Sequence, residues 1–402
     1  MAVGSAPRMN QVLGNVRVLD LGRFVAGPCC AAILGDLGAD VIRVERREGG
    51  EDRWLGPVGD NGEGGMFLQN NRNKLSVTLD WRLPEGAEIL RKLIAAADVV
   101  VVNLPGSTLS EMGLTYEDLK RVKPNIVMTS ISAFGNGGPY SNRLGFDAVG
   151  QVMSGAVSRA GWPDQPVRTI VPYVDFSTAL ASAVGTLAAL MHKNATGEGQ
   201  LVESSLMCTA LMMTSAMLIE QQLIKPDRVA TLNRGQLSAP NNIYAVTDGW
   251  IMVQVVGQPL FQRWARLVQA ESWLSDPRFQ DDAARGENWQ ILDQRMAEWC
   301  RERTKQSALD ELEHARVPAY PVNTIQDALD DPHVQAMGYL KETEYPGLPH
   351  PAPLVETPFR LSATPCAFRR RPPLVGEHTD SILRELNYSD TQISELRAKQ
   401  VI

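Results

Sequence analysis

The sequence lacks the features that mark several protein classes. Its five cysteines are scattered along 402 residues, with no CxxC pair and no cluster of histidines. A zinc site or a disulfide framework needs such groupings, so we expect reduced, buried thiols and no bound metal. There is no signal-peptide pattern at the N-terminus and no run of about 18 consecutive apolar residues. We therefore expect a cytoplasmic protein that does not contact membranes.

Positive charge is also scarce. Thirty-nine Lys and Arg residues against 46 Asp and Glu residues give a formal net charge of -7. A nucleic-acid-binding protein needs a broad basic surface, so this class is excluded, whereas a small basic pocket for a phosphate group is not. The 44% hydrophobic and 21% charged residues are typical of a globular enzyme rather than a disordered chain.

Short apolar runs alternate with helical segments between residues 15 and 135. Residues 16–22, Asp40–Glu45 and Val99–Val102 are predicted strands, and a helix is predicted to begin at Pro84. This alternation predicts an α/β fold with a doubly wound parallel sheet.

Changes in composition mark the predicted domain boundaries. Residues 1–200 are predicted to form a large α/β domain that is completed by a C-terminal return at 341–402. A linker helix at 201–224 is predicted to lead to a second, smaller α/β domain at 225–340, which ends in a returning linker. The stretch 340–371 is rich in proline, as linkers often are, and 380–398 is predicted to be one amphipathic helix.

Asp175 lies where an extended segment meets a helix rich in small residues. We predict that it occupies the N-cap, where the helix dipole and free N–H groups keep its carboxylate ionised. An ionised aspartate can attack a thioester and form a covalent intermediate. The helix N–H groups or neighbouring loop amides would stabilise the tetrahedral oxyanion. The same spacing also fits an ordinary helix cap.

Short motifs occur in a characteristic order along nearly the whole chain. They are VLDL at 18–21, AGP at 26–28, LGADVIRVE at 37–45, NK at 73–74, GGPY at 137–140, GFD at 145–147, TGEGQ at 196–200 and PLVGEHT at 373–379. This order resembles the class III CoA-transferase family, whose members include formyl-CoA transferase and carnitine CoA-transferase.

The resemblance implies a transferase of EC 2.8.3 type that moves CoA from an acyl-CoA thioester to a free carboxylic acid. Asp175 would be the nucleophile, and an aspartyl anhydride and an aspartyl-CoA thioester would be the intermediates. CoA would be a substrate rather than a permanent cofactor. The resemblance also implies an interlocked homodimer.

The resemblance also assigns the CoA contacts. Arg46 matches an arginine beside the nucleotide, and its planar guanidinium suits paired phosphate oxygens. The other matching positions are Phe24, Val25 and Ala26 for CoA and the acyl group, and Leu79, Arg82, Asn103 and Leu104 for the nucleotide.

The chain departs from formyl-CoA transferase at several positions. Glu111 replaces an arginine that faces CoA, so another cation would have to supply that phosphate contact. The candidates are Arg43, Arg72 and Lys74. Ala133 replaces a lysine, and the glycine-rich loop is reduced to the region of Gly235 and Gln236. Specificity for formyl groups or oxalate therefore does not transfer. Succinyl-CoA with a small dicarboxylate is compatible with the sequence, and so is a bulkier aromatic acid.

Three other functions remain alternatives. An α-methylacyl-CoA racemase shares the fold, but racemases have a proton-carrying histidine where this chain has Phe146, so the racemase is disfavoured. A nicotinamide oxidoreductase is suggested by the first strand and Glu45, but the turn reads GRFVAGP rather than GxGxxG. A non-catalytic CoA-binding relative would bind acyl-CoA without forming an adduct on Asp175.

Overall fold

The computed structural model describes residues 11–402. The start of the chain, on which the predicted absence of a signal peptide depends, lies outside the described residues. Contacts divide the chain into two compact units. Among the described residues, the first comprises 11–154 together with 169–222 and 338–402, and the second comprises 155–168 and 223–337.

The structure contains parallel and antiparallel strands. In chain order they are β1 (Arg17–Asp20), β2 (Asp40–Glu45), β3 (Lys74–Thr78), β4 (Val99–Val102), β5 (Val127–Ser132), β6 (Gly161–Trp162), β7 (Gln165–Pro166), β8 (Leu201–Ser205), β9 (Asn241–Val246), β10 (Gly249–Gln254), β11 (Ala319–Pro321), β12 (Leu340–Thr343) and β13 (Ala352–Val355).

Helices lie between these strands. They are α1 (Ala26–Asp36), α2 (Gly65–Asn70), α3 (Pro84–Ala96), α4 (Gly106–Glu111), α5 (Tyr116–Val122), α6 (Asp147–Met153), α7 (Tyr173–Thr196), α8 (Leu206–Met213), α9 (Ser215–Ile224), α10 (Gln258–Leu267), α11 (Asp282–Glu287), α12 (Trp289–Cys300), α13 (Lys305–His314), α14 (Ile325–Asp330), α15 (Pro332–Met337), α16 (Thr379–Glu385) and α17 (Asp390–Ala398). Short 3-10 helices lie at Glu51–Trp54, Ala156–Arg159, Glu271–Ser275 and Pro277–Phe279.

A six-stranded parallel sheet forms the centre of the first unit. Its strand order is β3-β2-β1-β4-β5-β8, which confirms the predicted α/β fold with a parallel sheet. In this order the chain reverses direction across the sheet between β1 and β4. Open parallel sheets bind ligands outside the carboxyl ends of their strands at such a switch point. The segments that follow β1 and β4 are therefore the expected walls of a site.

The four valines of β4 show why this sheet is buried on both faces. Val99 and Val101 lie in the same hydrophobic cluster as residues of α1 and α7. Val100 and Val102 lie in another cluster, with residues of α3 and the C-terminal helices α16 and α17. Because side chains alternate along a strand, only an uninterrupted apolar strand satisfies both layers.

A buried ion pair supports the turn that follows β1. The Lys74 ammonium lies 2.6 Å from a carboxylate oxygen of Asp20, and both side chains are fully buried. The ammonium also donates to the carbonyl of Pro28 in α1 and to the side chain of Asn71. The other oxygen of Asp20 accepts the N–H of Gly22 at 2.8 Å. The end of β1 and the start of α1 are thereby connected to β3.

The second unit has its own core. Its three-stranded sheet has the order β11-β10-β9 and is antiparallel. The core includes the aromatic side chains of Phe261, Trp264, Phe279 and Trp299, which come from the helical segments beside the sheet. The smaller unit thus combines helices with an antiparallel sheet.

Several predicted segments differ in the structure. Residues 201–205, predicted as part of a linker helix, form β8, because they pair with β5 at the edge of the sheet. The segment 340–371 includes the antiparallel pair β12 and β13 rather than only a linker. The predicted helix at 380–398 is divided into α16 and α17, with a positive φ of 67° at Asn387.

One helix of the first unit has the length of a membrane span. Tyr173–Thr196 is long and apolar enough to cross a membrane by length and composition alone. However, α7 packs against α1 and the sheet, and the core of a folded domain accounts for its apolar face.

All five cysteines are free thiols. Cys208 is exposed and Cys366 is half-buried, so the prediction that the thiols are buried is wrong for these two.

Replacing Lys74 with Met should destabilise the first unit. The Asp20 carboxylate would stay buried without its cation, and breaking such a pair costs about 3–5 kcal/mol. We expect urea denaturation to show a fall of that size in the free energy of unfolding. The matched change Lys120→Met, at an exposed position of α5, should have little effect. Equal stabilities for the two variants would contradict this role of the ion pair.

Candidate active site

Six of the nine predicted site residues line one cavity at the carboxyl ends of β1 and β4. A cavity of about 360 Å³ is lined there by residues of the first unit, including Asp175 and Leu206. The predicted contacts Phe24, Val25, Ala26, Asn103 and Leu104 all line it as well. Asp175 is half-buried rather than sealed in the interior. A ligand in this cavity therefore has access to the proposed nucleophile.

Asp175 is not the N-cap of its helix. The helix α7 begins at Tyr173 and its N-cap is Pro172, so Asp175 lies in the first turn, at the third helical position. The predicted N-cap position is wrong by one turn. The small-residue pattern indicated that a helix follows Asp175 but did not show that it begins before it.

The carboxylate that caps α7 is that of Asp147. One of its oxygens accepts the N–H of Val174 at 2.8 Å and the N–H of Asp175 at 3.0 Å. Its other oxygen accepts a hydrogen bond from the side-chain amide of Gln151. The flanking N–H groups, of Tyr173 and Phe176, donate to backbone carbonyls. The amides of α7 are thus occupied and are not the oxyanion donors that the sequence suggested.

Burial and Asp147 together raise the pKa of Asp175 to about 7. Desolvation disfavours the charged form, and the nearby negative charge of Asp147 adds to this effect. The prediction that the helix end keeps Asp175 fully ionised at neutral pH is therefore wrong. The N–H groups that would have stabilised the anion already bind Asp147.

Unpaired backbone amides occur elsewhere, in the turn after β1, of which Phe24, Val25 and Ala26 line the cavity. The N–H groups from Phe24 to Gly27 have no acceptor among residues 11–402. Phe24 has a positive φ of 63°, a conformation that costs energy in a non-glycine residue and often occurs at functional sites. Gly27 allows close packing, because an added Cβ would lie 3.2 Å from the Asn103 side chain.

Asn103 holds this turn in place. Its side-chain oxygen accepts the N–H of Arg23 at 2.8 Å, and its side-chain nitrogen donates to the carbonyl of Arg23 at 2.7 Å. The amide therefore links the segment after β4 to the turn after β1. Asn103 lines the cavity, as predicted, but its hydrogen-bonding groups serve the protein backbone.

The other predicted contacts line a second cavity, of about 600 Å³. Arg46 is exposed, and its guanidinium has no partner among the described residues. Arg82 is paired with Asp80 at 2.7 Å. Leu79 is fully buried and lines this second cavity. Arg23 lines both cavities and so marks the point where they meet.

The cations expected to compensate for Glu111 are not available. Arg43 pairs with Asp52 at 2.7 Å, Arg72 pairs with Asp36 at 2.6 Å, and Lys74 pairs with Asp20. All three are buried, as their positions in or beside buried parallel strands could have indicated. Sequence reasoning instead missed two cations.

The missed cations are Arg23 and Arg47, which line the second cavity together with Glu111. Each is adjacent to a residue that was predicted as a contact, Phe24 and Arg46 respectively. Of the other positions named from the sequence, Ala133 lines the first cavity, whereas Gly235 and Gln236 belong to the second unit. Among the described residues, no group of His, Cys, Asp and Glu could hold a metal ion.

Comparison with known proteins identifies the family. The model of CoA-transferase family III matches residues 13–379. The chain belongs to CoA-transferase family III. It is therefore a transferase of EC 2.8.3 type, as the resemblance predicted, and acyl-CoA thioesters are the substrates of this family.

The chain matches relatives along nearly their whole length. The succinyl-CoA–D-citramalate CoA-transferase of Chloroflexus aurantiacus is 34% identical, over 99% of this chain and 100% of that protein. The human succinyl-CoA:glutarate CoA-transferase is 33% identical, over 98% of this chain and 91% of that protein. A crystal structure of a CAIB/BAIF family protein from Brucella suis is 32% identical, with a TM-score of 0.81, and covers 94% of this chain and 100% of that chain.

Phe146 bears on the racemase alternative within this family. It precedes α6 and is 64% exposed, and its ring lies edge-on to Phe24 at a centroid distance of 5.5 Å. Both rings line the cavity that contains Asp175. A phenylalanine at this position has no proton to exchange, so this wall of the transferase cavity is apolar rather than acidic or basic.

Replacing Asp175 with Asn should stabilise the protein more at pH 8 than at pH 5. The pKa of this carboxyl is 3.8 when unperturbed and about 7 in the folded protein. Ionisation therefore opposes folding above about pH 4, increasingly so as the pH rises, and the effect levels off above about pH 7. We expect a gain of about 1–2 kcal/mol at pH 8, measured by chemical denaturation.

The control for this measurement is Asp60→Asn, which changes an exposed carboxylate. It should alter the stability equally little at both pH values. A loss of stability in Asp175→Asn that is the same at pH 5 and pH 8 would show that the pKa of Asp175 is not raised.

Proposed function

We propose that this transferase moves CoA from an acyl-CoA thioester to a free carboxylic acid through covalent intermediates on Asp175. The observation that carries the proposal is the position of Asp175: its carboxylate lines a cavity beside a turn of unpaired backbone N–H groups. A nucleophile and donors for an oxyanion are thus present in one cavity.

In each step of the proposed cycle one bond forms and one breaks. The Asp175 carboxylate attacks the donor thioester and releases CoA thiolate, which leaves an aspartyl anhydride. The thiolate then attacks the aspartyl carbonyl, which gives an aspartyl-CoA thioester and releases the donor acid. The acceptor carboxylate attacks the carbonyl of this thioester, which breaks the C–S bond, releases CoA thiolate and forms a second anhydride. Finally, CoA thiolate attacks the acceptor carbonyl, and Asp175 returns as a carboxylate.

The raised pKa of Asp175 favours its role as a nucleophile. A carboxylate of higher pKa is more basic and, once ionised, donates its electrons more readily to a carbonyl carbon. With a pKa of about 7, a substantial fraction remains ionised near neutral pH. Burial also strips water from the attacking oxygen, because the cavity replaces its hydration shell.

Each step passes through a tetrahedral oxyanion that needs hydrogen-bond donors. We assign this role to the backbone N–H groups at Val25, Ala26 and Gly27, because those of α7 are occupied by Asp147 and backbone carbonyls. These amides lie at the N-terminus of α1, where the helix dipole favours negative charge. The Asn103 side chain keeps the turn in place before the charge develops.

The two cavities suggest how CoA is oriented. The nucleotide would lie in the cavity lined by Arg23, Arg46 and Arg47, where guanidinium groups suit phosphate oxygens. The thioester would lie in the cavity with Asp175, and Arg23 lines both. CoA enters and leaves as a substrate in this proposal, and no permanently bound cofactor takes part.

The relatives suggest the substrate class. The two CoA-transferases named above have succinyl-CoA in their names, together with citramalate and glutarate, which are dicarboxylates. We therefore propose succinyl-CoA as the donor and a short dicarboxylate as the acceptor. This choice leaves aside the bulkier aromatic acid that the sequence also allowed.

A homodimer in the cytoplasm remains part of the proposal. Large apolar side chains are exposed on neighbouring helices of the first unit, including Val184 and Met191 of α7 and Met212 of α8. Contiguous exposed apolar surface of this kind is typical of subunit interfaces. The interlocked arrangement comes from the family resemblance.

Replacing Asp175 with Ala should abolish CoA transfer and leave CoA binding intact. We expect kcat to fall by a factor of at least about 1000, since the covalent route needs this carboxylate. Transfer from succinyl-CoA to a labelled acid measures activity, and calorimetric titration with CoA measures binding. Asp60→Asn serves as the control and should retain both properties.

Two results would contradict the proposed function. Wild-type turnover in Asp175→Ala would remove Asp175 from the mechanism. A wild-type protein that binds CoA but transfers it to no acid would instead be the non-catalytic relative that the sequence left open.

A further inference from the structure

We propose that Arg143 forms a carboxylate subsite in the cavity of Asp175 and binds the second carboxylate of a dicarboxylic substrate. This inference rests on the proposed function and adds the residue that selects the acid. Neither the sequence analysis nor the family resemblance assigned a role to this arginine.

Arg143 and Asp175 line the same cavity. The Arg143 side chain is exposed, and its guanidinium has no ion pair or hydrogen bond among the described residues. Arg23, the other arginine of this cavity, is paired with Glu51 at 3.3 Å. Arg143 is therefore the cation of the cavity whose charge is not balanced by a neighbouring carboxylate of the described chain.

The Arg143 side chain is also held in a defined orientation. Its guanidinium carbon lies 4.0 Å from the centre of the Tyr140 ring, and that ring packs edge-on against Phe134 at 5.5 Å. The N–H of Arg143 donates to the carbonyl of Tyr140 at 2.9 Å, which closes the turn. Stacking covers one face of the guanidinium but leaves its N–H edges available, and these edges bind carboxylates in a bidentate manner.

Arg143 and Asp175 have separate roles in this proposal. Burial and Asp147 account for the raised pKa of Asp175, and no cation among the described residues lowers it. No ion pair joins the Arg143 guanidinium to Asp175 in the described part of the chain. A substrate with two carboxylates can place one at Asp175 for reaction and the other at Arg143 for binding.

The apolar part of the cavity lining suits a short hydrocarbon chain. Phe24 and Phe146 line the cavity and pack edge to face at 5.5 Å. Methylene groups gain by contact with such rings, whereas an extra charge there would be desolvated without a partner. The cavity thus offers a carboxylate nucleophile, two apolar rings and a cation to one substrate.

Calorimetric titration of CoA-saturated enzyme tests this subsite without turnover. Glutarate and its monomethyl ester serve as probes, because the ester replaces one carboxylate with a neutral group of similar shape. We expect Arg143→Gln to weaken glutarate binding by about 10–100-fold relative to wild type, the loss typical of a charge-assisted bidentate contact. The ratio of kcat/KM for glutarate to that for the monomethyl ester should fall by a similar factor.

A matched control is Arg121→Gln, an exposed arginine on α5 that lines neither cavity. It should leave the ratio of glutarate affinity to monomethyl-ester affinity unchanged. Arg143→Lys should restore part of the glutarate affinity that Arg143→Gln loses. Equal glutarate affinity in wild type and Arg143→Gln, equal losses for both probes, or no glutarate binding to wild type would each overturn the inference. Normal glutarate discrimination in an enzyme that transfers no CoA would instead overturn the proposed function alone.

Discussion

The contact between the Asp147 carboxylate and the first turn of α7 determines the chemistry available at Asp175. By accepting the N–H groups of Val174 and Asp175, Asp147 uses the donors that would otherwise lower the pKa of the nucleophile. Its negative charge then raises that pKa, together with burial. Asp147 thus caps α7, and the Asp175 carboxylate is left costly to ionise but reactive once ionised. Active sites commonly lower the stability of the fold in exchange for activity, and the ionised form of Asp175 does so here.

The parallel sheet brings the other parts of the cavity to this carboxylate. Because β1 and β4 are neighbours, the turn after β1 lies within reach of Asn103, whose amide binds the backbone of Arg23. The buried pair of Lys74 and Asp20 supports the same turn from beneath. The positive φ of Phe24 persists because these contacts fix the turn, and Phe24, Val25 and Ala26 of this turn line the cavity.

Local patterns in the sequence predicted the parts of the fold that depend on local order. The valines of β4 required two apolar layers, and the segment from Asp40 to Glu45 was predicted as a strand and is one. The cavity residues at 24–26 and 103–104 could be named because the family motifs place them after β1 and β4. The capping of α7 could not be predicted, since its acceptor lies 28 residues away in the sequence. The burial of Lys74 likewise depends on a partner in another strand.

The fate of oxygen atoms tests the central claim most directly. If Asp175 carries the acyl group, each turnover with an acceptor labelled with heavy oxygen (¹⁸O) in its carboxylate leaves one labelled oxygen on the aspartate side chain. Mass spectrometry of the peptide that contains Asp175 should then show the mass increase of one exchanged oxygen, in wild-type enzyme supplied with both substrates and in neither single-substrate control. Turnover that transfers CoA while the Asp175 peptide remains unlabelled would contradict the account.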